Sequence, residues 1–364
     1  MSAKGLDKPE RKAAPKSEDF GGLQLDLFRN VLCNTEGERD ALSNVLDLWD
    51  SIPRYAISRQ QQDKWRRAGT FPALYEQHFH YRGRGIVATI QPATLKRKDG
   101  STANFYPSAN EELIEDVLRK IATDQNNGYY IPSEKRHGVV FTLHLLRKEL
   151  DKRGHGRTYQ EISDSLDILS GSIITTKTED GKDGNFLSRS VYLNNLFRVT
   201  KGTRELDPDA KWFADFHPFA SRALDEVTYR QFNYARLMSH KSQLARWLNK
   251  VLCLKYLNAS HFHPFDMYFS TIVRDSGLLN GYSVTRLAVA AVDDAFRELA
   301  TSAAPMLATA PKKDIKSGPR GKIMDVIYTL QPSNEFIKEV KAASKRQDDA
   351  SRTLKPVNNP VLLR

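Results

Sequence analysis

Two His-Phe-His triplets, His78-Phe79-His80 and His261-Phe262-His263, have the spacing to support covalent chemistry in this 364-residue chain. Alternate side chains of a strand share a face, so each imidazole pair could hold a divalent metal while Tyr268 or Tyr282 attacks a phosphodiester. Pro264 directly follows the second pair and removes a ladder donor, and no acidic third ligand stands near the first. For nucleotide hydrolysis, Gly321-Lys322 is the nearest approach to a phosphate-cradling G-x-x-x-x-G-K-[ST]. Ile323 follows it, however, and Lys316 stands where the first glycine belongs. Two cysteines, Cys33 and Cys253, build neither a disulfide framework nor, by themselves, a cysteine zinc site. The expectation is a binding protein with no catalytic residue, metal or cofactor.

The charge balance says what it would bind. With 55 Lys+Arg against 44 Asp+Glu the net charge is +11, which favours an anionic partner, nucleic acid before membrane surface. No apolar run approaches the roughly 20 residues of a membrane span, and the N-terminus lacks a signal-peptide core, so a cytoplasmic location is expected.

Recognition chemistry gathers at 281–300. Val284, Leu287, Ala288, Ala291, Val292, Ala295, Phe296 and Leu299 recur at helical spacing and predict one apolar face. Asn280-Gly281 turns into the helix, and Ser283 is placed to cap it. Tyr282, Ser283, Thr285 and Arg286 then face outward on the first turn, while Asp293, Asp294 and Glu298 on the back half would repel phosphate. A polar tip and an acidic tail suit a helix entering a DNA groove by its N-terminal end; an ordinary amphipathic core helix would show the same period. Met306–Ala308 and Lys322–Leu330 are expected as wing strands separated by Lys312, Lys313, Lys316 and Arg320. From Pro311 to Arg364, 12 Lys+Arg stand against 6 Asp+Glu, so more than half of the excess charge sits with the wing and tail that follow this helix.

The elements that position these residues form a repeat. Residues 1–35 are expected as a flexible tail, with almost no large apolar residue over 1–20 but carrying the isolated pentapeptide Gln24-Leu25-Asp26-Leu27-Phe28. On a flexible tail such a plug can fill a partner's pocket; as the first turn of a helix continuing to Leu32 it would be structural. Residues 36–72 read as a linker with its own helix (Leu42, Val45, Leu46, Trp49) and a basic patch from Arg59 to Arg67. In 73–204 the order is a strand at 86–90, a helix at 111–122, a strand at 139–141, a helix capped by Thr142, and a third helix. The capping box Thr158-x-x-Glu161 opens that third helix, and a hairpin of 173–178 with 191–193 follows. In 205–347 a helix at 234–257, a strand at 263–268, a helix at 271–279, the helix described above and the wing repeat that order, with a last helix at 333–345. Residues 348–364 look loose. The fold class expected is α+β, two tandem winged helix-turn-helix domains. Glu161, Asp164 and Asp167 face outward on the first unit's third helix. That helix therefore meets DNA only through Arg157, Thr158 and Gln160, with Lys177 and Lys182 in its wing, or the unit mainly serves dimerisation.

The chain resembles plasmid replication initiators of the TrfA-like kind, which join two winged-helix domains. The resemblance runs from about Gln24 to Ala300. It includes Q-L-D-L-F at 24–28, similar to the pentapeptide that bacterial proteins dock on the replicative sliding clamp. G-R-T-Y-Q-E-I at 156–162, Y-R-Q-F-N-Y-A-R at 229–236 and the pattern of 270–299 complete it. It implies binding to direct repeats in origin DNA, help in melting an AT-rich region, and recruitment of the host helicase, host initiator and sliding clamp. Family members pass between active monomers and inactive dimers. By this likeness Gln24, Leu25, Asp26, Leu27 and Phe28 would dock the clamp, and Tyr282, Ser283, Thr285 and Arg286 would read bases. Lys312, Lys313, Lys316, Arg320 and Lys322 would hold phosphates. The acidic first-unit helix and the long basic C-terminus depart from the family pattern.

Overall fold

The computed structural model describes residues 40–97, 99–123, 127–179, 187–199 and 207–353. Gln24–Phe28, and Lys182, expected in the first wing, lie outside them. The chain is a mixed α/β structure, and no described helix is long and apolar enough to cross a membrane.

Strand β1 (Leu42–Leu46) runs into helix α1 (Asp47–Ser51), and α2 (Arg59–Arg67) follows. This segment, expected as a linker, belongs to the core: Val45, Leu46 and Trp49 are buried. Its apolar spacing suggests a helix, yet 42–46 is extended because it pairs antiparallel with Tyr229–Asn233. Strands β2 (Tyr75–Tyr81) and β3 (Arg84–Gln91) form a hairpin whose loop, Arg82-Gly83, has φ of 49° and 78°, the geometry that follows strand twist. A smaller hairpin, β4 (Ala93–Lys96) with β5 (Thr102–Phe105), precedes α3 (Ala109–Thr123).

Next come β6 (Gly128–Ile131), β7 (Arg136–Phe141), α4 (Leu143–Lys152) and α5 (Tyr159–Gly171). Thr142 Oγ1 caps α4 by accepting from Leu145 N at 3.0 Å. The capping box opens α5: Glu161 N donates to Thr158 Oγ1 at 3.2 Å, and Thr158 N donates to the Glu161 carboxylate at 2.8 Å. Strands β8 (Ile173–Thr178) and β9 (Leu187–Val191) follow and extend the first hairpin into the sheet β2-β3-β8-β9. The hairpin's second strand thus ends at Val191, opposite Ile173, and does not run through 191–193; Tyr192 and Leu193 are buried.

Strands β10 (Leu193–Val199) and β11 (Lys211–Phe216) complete a second sheet, β10-β11-β7-β6. Residues 211–216, expected in the second domain, therefore finish a sheet begun by the first. Helix α6 (Pro218–Asp225) and β12 (Tyr229–Asn233) lead to α7 (Tyr234–Ser239) and α8 (Gln243–Lys255). One helix over 234–257 is not found. His240 is extended, and Ser242 restarts the helix by accepting from Ala245 N at 3.0 Å. The second sheet-and-helix set is β13 (Phe265–Tyr268), α9 (Phe269–Ser276), α10 (Thr285–Thr301), β14 (Lys312–Ser317) and β15 (Ile323–Leu330), with β15 central between β13 and β14. Met306–Ala308, expected as a wing strand, is instead anchored: Met306 and Leu307 are buried, and Leu307 makes an isolated bridge to Pro332. The wing lysines consequently lie along a strand. Helix α11 (Asn334–Thr353) packs back on β12, where Arg236 of α7 grips Glu339 with two bonds of 2.6 and 2.9 Å.

One hydrophobic cluster runs from Val45 to Val340 through both halves of the chain. Inside it lies a chain of charges. The apolar side of α3 is buried as expected, but so are Glu111, Glu112, Glu115, Asp116, Arg119 and Lys120 on its other sides. Arg119 bonds Asp50 and Asp116, each at 2.6 Å, and Arg54 bonds Glu115 at 2.9 Å and Asp50 at 3.1 Å. Lys250 of α8 reaches Asp116 at 2.7 Å and Glu112 at 3.2 Å. Burial alone would raise the Glu115 carboxyl, but Arg54 and Arg119 beside it bring it down to about 2. Removing one member strands its partners in low dielectric. Lys250→Met is expected to destabilise the protein by about 3–5 kcal/mol, read from urea unfolding; a loss below about 1 kcal/mol would mean that the carboxylates of α3 do not need this cation.

Candidate nucleic-acid interface

The surface that collects the predicted recognition residues is the leading end of α10 with the β14–β15 hairpin. Helix α10 starts one residue later than expected. Val284 is its N-cap, with extended backbone and no side-chain cap, so Ser283, itself exposed, does not cap. Tyr282, Ser283, Thr285 and Arg286 are all exposed. The back of the helix is seated on the wing sheet, where the Phe296 and Tyr328 rings lie 4.9 Å apart.

The turn before α10 is held by residues of the first half. Asn280 Nδ2 donates to Gln77 Oε1 of β2 at 2.7 Å and to the Tyr75 hydroxyl at 3.2 Å. Gln77 Nε2 in turn donates to the Arg274 carbonyl at 3.0 Å, and His80 N donates to buried Asp275 at 3.1 Å. Gly277 ends α9 in the left-handed region (φ 64°), and an added Cβ would meet the Ala56 side chain at 2.8 Å. Only glycine meets both conditions there. The tip is therefore built on β2, a role for Gln77, Gly277 and Asn280 that short-range sequence patterns do not reveal.

The acidic back half of α10 is occupied internally. Glu298 accepts from Lys241 N at 2.7 Å and Ser242 N at 3.2 Å, closing the break between α7 and α8. Asp293 pairs with Lys313 at 2.7 Å, and Asp294 pairs with Arg297. Repulsion of phosphate by these groups is correspondingly weakened. In the wing every residue of β14 is exposed, as are Arg320 and Lys322 at the hairpin tip. Lys316 pairs with Asp314 at 2.5 Å, whereas Lys312, Arg320, Lys322 and Arg286 have no carboxylate partner among the described residues. Gly321-Lys322 thus forms the tip of a hairpin.

The first half offers less. Arg157 is spent on Asn110 Oδ1 at 2.5 Å and on the Gly156 carbonyl at 2.8 Å. Thr158 is committed to the capping box, and Gln160 donates to Asp164 at 2.7 Å. Lys177 is exposed on β8, apart from these three. The histidine triplets do not form matching sites. His78 and His80 do share the exposed face of β2, with Phe79 buried between them and Glu179 against His78. His261 and His263 lie in a turn, with Phe262 exposed by 89%, and His261 bonds Asn334 at 2.9 Å. Among the described residues no three His, Cys, Asp or Glu gather to hold a metal.

No family model and no curated protein matches the chain. Among solved structures it is similar to domains 2 and 3 of RctB, at 12% identity and a TM-score of 0.45 over 72% of this chain and 91% of that one. A second structure of RctB domains 2-3 gives 12% identity and a TM-score of 0.44 over 74% and 95%. The Pi initiator protein in complex with iteron DNA gives 9% identity and a TM-score of 0.41 over 62% and 91%. At such scores a superposition assigns neither fold family nor role.

Phosphate contacts release counterions, and each lysine or arginine engaged adds about 0.9 to the slope of log K against log salt. Neutralising Lys312, Arg320 and Lys322 together is expected to lower that slope on duplex DNA by about 2–3. Neutralising the paired Lys313 and Lys316 should lower it by less. Fluorescence anisotropy across a salt series measures both, and equal changes would remove the distinction between free and paired cations.

Proposed function

We propose that this chain is a non-enzymatic replication initiator that binds repeated sites in origin DNA through two winged helix-turn-helix units. The carrying observation is the exposed polar tip of α10 beside a wing whose Lys312, Arg320 and Lys322 have no carboxylate partner among the described residues. Cations of this kind supply sequence-independent, salt-dependent affinity, and a helix tip in the major groove supplies base readout. The repeated order supports two units: α3, α4 and α5 with β8–β9, then α8, α9 and α10 with β14–β15. In this reading the second unit sets specificity, because Arg157, Thr158 and Gln160 of the first are held by internal partners. The step from DNA binder to initiator rests on the resemblance in sequence, above all on Q-L-D-L-F. By that resemblance Gln24–Phe28 dock the sliding clamp, the host helicase and host initiator are recruited, and monomer and dimer exchange.

Footprinting on the DNA flanking its own gene should reveal protected repeats. Thymines of an adjacent AT-rich stretch should become permanganate-reactive on binding; protection without reactivity would make the chain a repressor. Arg286→Ala should cost about 1–3 kcal/mol on the repeat and little on random DNA, and equal losses would count against base readout there. Leu27→Ala with Phe28→Ala should abolish retention on immobilised sliding clamp while leaving origin binding intact. Loss of both would make the peptide structural.

A further inference from the structure

Val284 and Leu287 belong by periodicity to the buried stripe of α10, yet they are exposed by 49% and 58%. Leu287 N donates to the Val284 carbonyl at 3.0 Å, so the two residues stand one turn apart on the leading end. The stripe enters the core only at Ala288 and Val289. A single exposed aliphatic side chain needs no explanation. Here two stand together beside Thr285 and Arg286, on a tip anchored to β2, with wing cations that have no carboxylate partner among the described residues on the same unit. The surroundings select a polyanion, while the spot itself selects something apolar. In the major groove the apolar group on a base edge is the C5 methyl of thymine.

We infer that Val284 and Leu287 are specificity-determining residues that contact thymine methyl groups in the bound repeat. Arg286 and the neighbouring hydroxyls take polar base edges. This rests on the DNA-binding reading above. It predicts that binding depends on the methyl itself and not only on the hydrogen-bonding pattern of the A·T pair.

The full chain is first used to enrich a binding site from random duplex DNA. Each thymine of that site is then replaced singly by deoxyuridine, which lacks only the methyl. At one or two positions the wild-type protein should lose about fourfold in affinity, the factor for one buried methyl. Leu287→Ala or Val284→Ala should bind the thymine and deoxyuridine sites equally at the corresponding position, while Arg286→Ala retains the difference. Both side chains are exposed, so the variants should melt with the parent. If no thymine responds, or if both variants respond like the parent, the inference is overturned while DNA binding stands. Failure to enrich any site would overturn the DNA-binding reading and this inference with it.

Discussion

Lys250 meets Asp116 and Glu112 where the two halves of the chain come together, and that contact is one link in a run of buried charges from Asp50 through Arg54, Glu115 and Arg119. Charges placed there without partners would each carry a large desolvation cost, so the network forms only when α1, α3 and α8 are all in place. Its net contribution to stability is modest compared with a hydrophobic seam of the same volume. Its effect on geometry is larger, because directional bonds allow few alternative arrangements of the three elements. The β1–β12 pairing adds a second constraint of the same kind, tying residue 42 to residue 233.

The same economy of partners explains why one half offers a more open surface than the other. On α5 nearly every polar group near the tip has an internal use: Arg157 holds Asn110, Thr158 and Glu161 satisfy each other, and Gln160 holds Asp164. On α10 the arrangement is reversed. Its acids are engaged with Lys313, Arg297 and the amides of Lys241 and Ser242, while the polar groups of its tip are left outward.

What could be read from residue order was local. Thr142 and Thr158 mark helix starts because a capping hydroxyl acts within three residues, and both do so. The stripe of α10 was legible from Ala288 onward. Periodicity identifies an apolar stripe but not where that stripe runs off the end of the core, which is why it assigns Val284 and Leu287 inward. Strand β1 has helical spacing in sequence because its partner lies far along the chain and leaves no trace in local order. The charged sides of α3 look like a solvated face for the same reason, since Asp50, Arg54 and Lys250 arrive from distant segments. The break at His240 is hidden in sequence although Ser242 is a cap of the ordinary type, because apolar residues recur on both sides of it.

Asn280 on Gln77, and Gly277 against Ala56, tie the turn before α10 to the first half of the chain. For a duplex lying across both halves, the tip of α10 then addresses the groove at one angular phase relative to whatever the first half touches. One extra base pair turns the far portion of a site by about 35°, given 10–10.5 base pairs per turn. Under the proposed DNA-binding reading, a jaw without a hinge cannot follow that rotation, so the repeats it would bind are constrained in length as well as in letters.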